Sequence, residues 1–182
     1  GNFGEQGTYL VTFIMSAITW PQRKHGSAPN RQNPGCTANK NDYSITNWAK
    51  CCALCAHIKS RLACSPIFRQ RLVEVPLSLA HPYWINDPEF VLGHHLPRLQ
   101  LPAPGGWQEL MQLSAQVFGQ LLVRNRPLWE LSFVEGLDRV PGLARGSFAV
   151  ISKVHHAAVD GGSGVELMGA LLDTSAKPRR ID

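Results

Sequence analysis

Residues 148–161 read Phe148-Ala149-Val150-Ile151-Ser152-Lys153-Val154-His155-His156-Ala157-Ala158-Val159-Asp160-Gly161. The apolar run at 148–154 opens with four consecutive hydrophobic residues, the composition of a strand covered on both faces. It runs directly into two imidazoles and a glycine turn, an arrangement that presents reactive groups at the edge of a sheet. Beyond the turn, Val165, Leu167, Met168, Leu171 and Leu172 recur at helical spacing, with Ser163 and Glu166 set as a capping box. Before the run, Trp129, Leu131 and Phe133 alternate with Glu130, Ser132 and Val134, the period of a half-buried strand over residues 127–135. A loop with Gly136, Pro141, Gly142 and Gly146 separates the two strands, so a hairpin is the simplest connection.

Each position in the turn has a chemical use. Histidine, with an ordinary pKa near 6.5, can accept a proton at physiological pH. Gly161 and Gly162 remove side-chain bulk, which lets a substrate approach the ring. Asp160 can anchor the turn by a buried ion pair or by accepting backbone N–H bonds at a helix start.

Further upstream, Trp107, Leu110, Met111, Ser114, Val117, Phe118, Leu121 and Leu122 fall on one helical face, a core-packing stripe. Residues 58–62 close an earlier helix that Pro66 stops. Residues 68–79 read as extended, and residues 83–85 and 91–101 as short strands. Pro82, Pro88, Pro97 and Pro102 assign those strands to edges. The pattern changes near residue 55. Residues 26–43 are rich in Asn, Gly, Pro, Lys and Ser and read as loop, so residues 1–55 form an unassigned loop-rich segment and residues 56–182 the domain.

With 182 residues, 44% of them hydrophobic, the chain can bury one sizeable core. Its formal charge of +5 suits an anionic partner, nucleic acid, an acidic membrane surface or a phosphate-bearing cofactor, and does not choose among them. No stretch reaches the roughly 20 apolar residues of a membrane span, and residues 9–20 lack the flanks of a secretory signal, so the cytoplasm is expected. The five cysteines, Cys36, Cys51, Cys52, Cys55 and Cys64, do not make a disulfide framework, and the Cys52/Cys55 pair lacks the second pair that structural zinc needs. No metal is expected. One or both of His94 and His95 read as surface or rim residues, and Lys177, Arg179 and Arg180 as a solvated tail. Trp84, Trp107 and Trp129 fall at strand or helix core positions and no recognition motif accompanies them, which sets nucleic acid aside.

The segment from His155 to Gly161 matches the HHxxxDG signature shared by CoA-dependent acyltransferases. Arg126-Pro127-Leu128-Trp129-Glu130 is similar to the PLW motif of one branch, the bacterial wax ester synthase/diacylglycerol acyltransferase family. Ile58, Arg61-Leu62, Pro66, Phe68 to Leu72, Pro82-Tyr83-Trp84 and Leu101 to Gly106 extend the resemblance over residues 56–173. It implies an α/β chain with the N-terminal domain of the chloramphenicol acetyltransferase-like fold. It also implies acyl transfer from acyl-CoA, a substrate and not a cofactor, to diacylglycerol or a long-chain alcohol. His156 would be the general base, His155 its neighbour and Asp160 a structural anchor. Gly161 and Gly162 would keep the channel open, and Pro127, Leu128 and Trp129 would form the second motif. Family members carry a second domain of similar fold, with the channel between the two, so the expected partners are that C-terminal domain or a second copy. Contact with a membrane or lipid body is also expected. The other class of function open to these residues is a non-catalytic acyl-binding or interaction domain of the same fold.

Overall fold

The computed structural model describes residues 8–15, 45–158, 169 and 171. Its elements are β1 (Thr8–Met15), α1 (Ile45–Arg61), β2 (Gln70–Val73), β3 (Tyr83–Asn86), β4 (Arg98–Gln100), α2 (Trp107–Gly119), β5 (Trp129–Glu135) and β6 (Phe148–His155). Four strands form one sheet in the order β1-β6-β5-β4, and β2 and β3 form a separate antiparallel ribbon. Strand β6 is antiparallel to both its neighbours, whereas β4 runs parallel to β5.

Residues 129–135 alternate between two cores, and β5 is not half-buried as its alternation predicts but buried at every position except Glu130, because both faces of the sheet are covered. Trp129, Leu131 and Phe133 project to one side and pack with Val150, Val154 and the α1 residues Cys51, Leu54, Cys55 and Ile58. On the other side, Val134, Ala149 and Ile151 pack with Leu110 and Val117 of α2. Residues 149–154 are accordingly buried without interruption, as a strand covered on both faces requires. Each large apolar side chain among them, such as Val150, Ile151 and Val154, contributes roughly 1.5–3 kcal/mol, against about 1 kcal/mol for a helix cap. The central hairpin is therefore the element whose packing decides the fold.

Helix α2 starts where Glu109 folds back to accept the Gly106 N–H at 2.8 Å. Its last carbonyls are met by a buried cation: the Lys153 ammonium donates to Val117 O at 2.9 Å and to Gln120 O at 2.8 Å. The negative end of the helix thus compensates a charge that would be costly to bury alone. On the far flank, the Arg98 guanidinium pairs with the carboxylate of fully buried Glu135 and fixes β4 against β5.

The structure differs from the sequence reading in several places. Residues 68–79 are extended only as β2. Pro76 then opens a 3-10 turn, Pro76–Ser78, because its locked φ and missing N–H end the strand. Residues 91–101 divide into a 3-10 turn, Leu92–His95, and the short β4, which lies at the sheet edge as the flanking prolines require. Helix α2 ends at Gly119, so Leu121 and Leu122 lie beyond it, and Trp107, Met111 and Leu121 are exposed. Residues 1–55 are not loop throughout: β1 pairs with β6 from Thr8 to Met15, and α1 runs from Ile45 across residue 55 without a break. Cys51 and Cys55 pack into the α1 core. The helix expected at 165–172, its capping box and the basic tail lie outside the described residues, except that Gly169 and Leu171 are helical.

Candidate functional site at the end of the central strand

His155 is the last residue of β6, and His156 opens a 3-10 turn, His156–Ala158. On one side His155 stands opposite Thr8; on the other its N–H donates to the carbonyl of Leu128 at 3.0 Å. The two motifs singled out in the sequence therefore meet across the sheet: 127–129 lead into β5 at the level where β6 delivers the histidines. Trp129 is in register with Val154. Pro127, Leu128 and Trp129 are all buried, which makes them supports of the site and not parts of its surface.

The His155 ring is held by the chain itself. Its Nδ1 accepts the N–H of Ala157 at 3.0 Å, which places the ring proton on Nε2. Burial holds the His155 pKa below its ordinary value, and the Arg124 guanidinium and His156 lower it further. His155 is thus a neutral residue that locks the turn. His156 follows on the exposed side of that turn. Asp160, Gly161 and Gly162 lie outside the described residues.

Support for Trp129 comes from residues that sequence reasoning misplaced or missed. Its indole Nε1–H donates to Phe68 O at 3.0 Å, and Phe68 meets the indole edge-on at 5.6 Å. His95, expected at the rim, is buried because its ring fills a stack between Phe90 and Trp129, at 5.3 and 4.4 Å. His94 is exposed, as expected. Arg61, the last residue of α1, is 1% exposed and belongs to the same neighbourhood: Ile58 and Leu62 pack with Trp129, Val154 and Ala158. An arginine at the end of a helix gives no sequence signal of such burial. A cavity of about 310 Å³, lined by residues 101–105 together with Gly136, Asp138 and Arg139, lies past the far end of β5. With β5 seven residues long, a rise of about 3.3 Å per residue puts it roughly 20 Å from the histidines. Among the described residues no group of three or more His, Cys, Asp or Glu side chains is placed to hold a metal ion.

The mixed sheet, with helices on both faces and a histidine pair ending its central strand, matches part of the chloramphenicol acetyltransferase-like fold. The solved wax ester synthase/diacylglycerol acyltransferase from Marinobacter aquaeolei VT8 superposes with a TM-score of 0.59 at 24% identity, covering 93% of this chain and 32% of that one. Residues 34–182 match the wax ester synthase/diacylglycerol acyltransferase catalytic domain, and the chain belongs to that family. A Mycobacterium tuberculosis H37Rv relative designated a diacylglycerol O-acyltransferase, Rv1760, is 40% identical over 116 residues, 64% of this chain and 22% of the relative. The M. tuberculosis CDC 1551 protein tgs1, of like designation, is 37% identical over 123 residues, 68% of this chain and 25% of its own length. The chain thus spans about a quarter or less of these relatives.

Proposed function

We propose that this chain is the base-bearing part of an O-acyltransferase that moves a fatty acyl group from acyl-CoA to a diacylglycerol or a long-chain alcohol. The observation that carries the proposal is the seating of the histidine pair. His155 is bonded to Leu128 through its backbone and to Ala157 through its ring, and His156, next to it at the end of the strand, is the exposed imidazole of the two. In the proposed reaction, His156 takes the proton of the acceptor hydroxyl as its oxygen bonds to the thioester carbonyl carbon. The tetrahedral oxyanion then collapses, the C–S bond breaks, and the imidazolium returns its proton to the departing CoA sulfur. No covalent enzyme intermediate is formed. Asp160 anchors the turn, Gly161 and Gly162 leave room for the acyl chain, and the second family domain completes the channel.

The experiment is transfer from palmitoyl-CoA to hexadecanol or dioleoylglycerol, measured with the chain joined to the C-terminal portion of a family member. Ester should form with the parent and fall by about two to four decades with His156→Ala. Undiminished turnover by that variant, while it remains folded, would remove His156 from the chemistry.

A further inference from the structure

The backbone edge of β5 that faces away from β6 is only partly covered by a strand. Leu128 O takes the His155 N–H at 3.0 Å, and β5 runs antiparallel to β6, so the next carbonyl, that of Trp129, turns to the opposite edge. On that edge β4 pairs with β5 only from Phe133 to Glu135. Level with Trp129 a side chain takes the place of a strand: His95 Nδ1–H donates to Trp129 O at 2.8 Å. Two consecutive carbonyls are therefore held from opposite sides, Leu128 by the backbone of the histidine pair and Trp129 by the ring of His95.

The ring has little freedom to carry that bond elsewhere. It is buried between Phe90 at 5.3 Å and Trp129 at 4.4 Å, and the Trp129 indole is anchored in turn on Phe68 O. His95 also closes the Leu92–His95 turn, and two residues on, Pro97 O takes the Phe133 N–H at 2.8 Å. One short segment thus grips β5 at two points. Trp129 is itself buried, so its carbonyl depends on the donor that His95 supplies.

We propose that His95 is a positioning residue for acyl transfer, which fixes the Leu128–Trp129 stretch from the edge opposite β6 and so sets where the strand end delivers His156. The inference rests on the reading of His156 as the base. It acts through the backbone and not on substrate. Displacing a reacting group by about 1 Å can cost about 100-fold in rate, so a bond one strand away from the chemistry can govern it.

Two substitutions separate holding from packing. His95→Phe keeps a ring between Phe90 and Trp129 and removes the donor. His95→Asn carries an N–H donor the same number of bonds from its α-carbon as Nδ1, and removes the ring. In the joined enzyme of the transfer assay, His95→Phe should lower kcat about tenfold or more and change the KM for palmitoyl-CoA less than about twofold. His95→Asn should recover most of that loss although it gives up the stack. In the 182-residue chain, amide exchange read by NMR gives a measure free of substrate. With His95→Phe it should quicken about tenfold more at the His155 N–H than at the Ala149 N–H, at the far end of the same ladder, and with His95→Asn it should not. A kcat that follows the melting temperatures of the variants, or exchange that quickens equally at both amides, overturns the proposal. A joined parent that forms no ester would remove the acyltransferase reading, and the exchange comparison then decides by itself whether His95 holds the histidine pair.

Discussion

The ring of His95 lies against the indole of Trp129, centroids 4.4 Å apart and planes 22° apart, while its Nδ1–H donates to the carbonyl of the same tryptophan at 2.8 Å. One residue thus grips another through both ring and backbone, and the residue gripped begins the strand that seats the histidine pair. Burial holds the His95 pKa below its ordinary value, more strongly than the Trp129 carbonyl raises it.

The pH consequence has a definite sign. A group whose folded pKa is depressed binds more protons when unfolded, so stability is complete above about pH 6.5, the unfolded value, and is lost as pH falls below it. His95→Phe should keep the stack yet leave the Trp129 carbonyl without its donor, costing about 1–3 kcal/mol at pH 7.5. The loss of thermal stability between pH 7 and pH 5 should be shallower in that variant than in the parent. Parallel melting curves at each pH provide the check, and equal slopes would mean that His95 does not titrate in that window.

The two histidines should differ in kind. His156→Ala removes the proposed base, whereas His155→Ala removes the acceptor of the Ala157 N–H and loosens the turn. Asn offers a carbonyl oxygen to the same N–H, so His155→Asn should recover much of the activity lost by His155→Ala, and no such rescue is expected at position 156. Arg124→Gln should raise the His155 pKa without affecting Ala157, which titration of the imidazole by NMR would read directly.

Arg61 supplies a third prediction. Just before it, α1 packs against Ala158 and Leu171, residues that bracket Asp160 in sequence, and His57 Nε2 donates to Leu171 O at 2.8 Å. We expect Asp160 to balance the buried guanidinium. Arg61→Met and Asp160→Asn should each destabilise by about 3 kcal/mol, the cost of removing one member of a buried pair. The double variant should be less affected than their sum by about 1 kcal/mol or more. Strictly additive losses in urea denaturation would assign the two residues to separate partners.

Leu77 supplies the fourth. Relieving a left-handed leucine should stabilise the fold by about 1 kcal/mol in Leu77→Gly or Leu77→Asn, the cost of that backbone region for a β-carbon. Unchanged or lowered melting temperatures in both variants would show that the turn itself requires leucine.

The hairpin of β5 and β6 was legible in the unbroken apolar run at 148–154 and the alternation at 129–135, but the alternation under-reads β5, which is buried at every position except Glu130 because α2 covers the side where Ser132 and Val134 sit and β4 lies against Glu135. The end of α2 was overrun because the apolar spacing continues through Leu122, while the helix stops at Gly119, where Lys153, distant in sequence, takes its last carbonyls. His95 was misplaced for a related reason. A histidine between prolines looks solvated until Phe90 and Trp129, from other parts of the chain, close on either side. Within the site, the motif residues could be read in order, but the bond from His155 to Leu128 follows from strand register, which no single segment encodes.

The pairing of β1 with β6 bears on how the molecule assembles. Thr8 lies opposite His155, so the first described strand to leave the ribosome closes against one of the last. Contacts this far apart in the chain carry a large loop-closure entropy and slow folding. Until they form, one edge of the most apolar strand stays open to any other strand that meets it. Nascent chains stalled before residue 148 should therefore hold β1 without its partner, and the histidine pair should take its final position only at the last step of sheet closure.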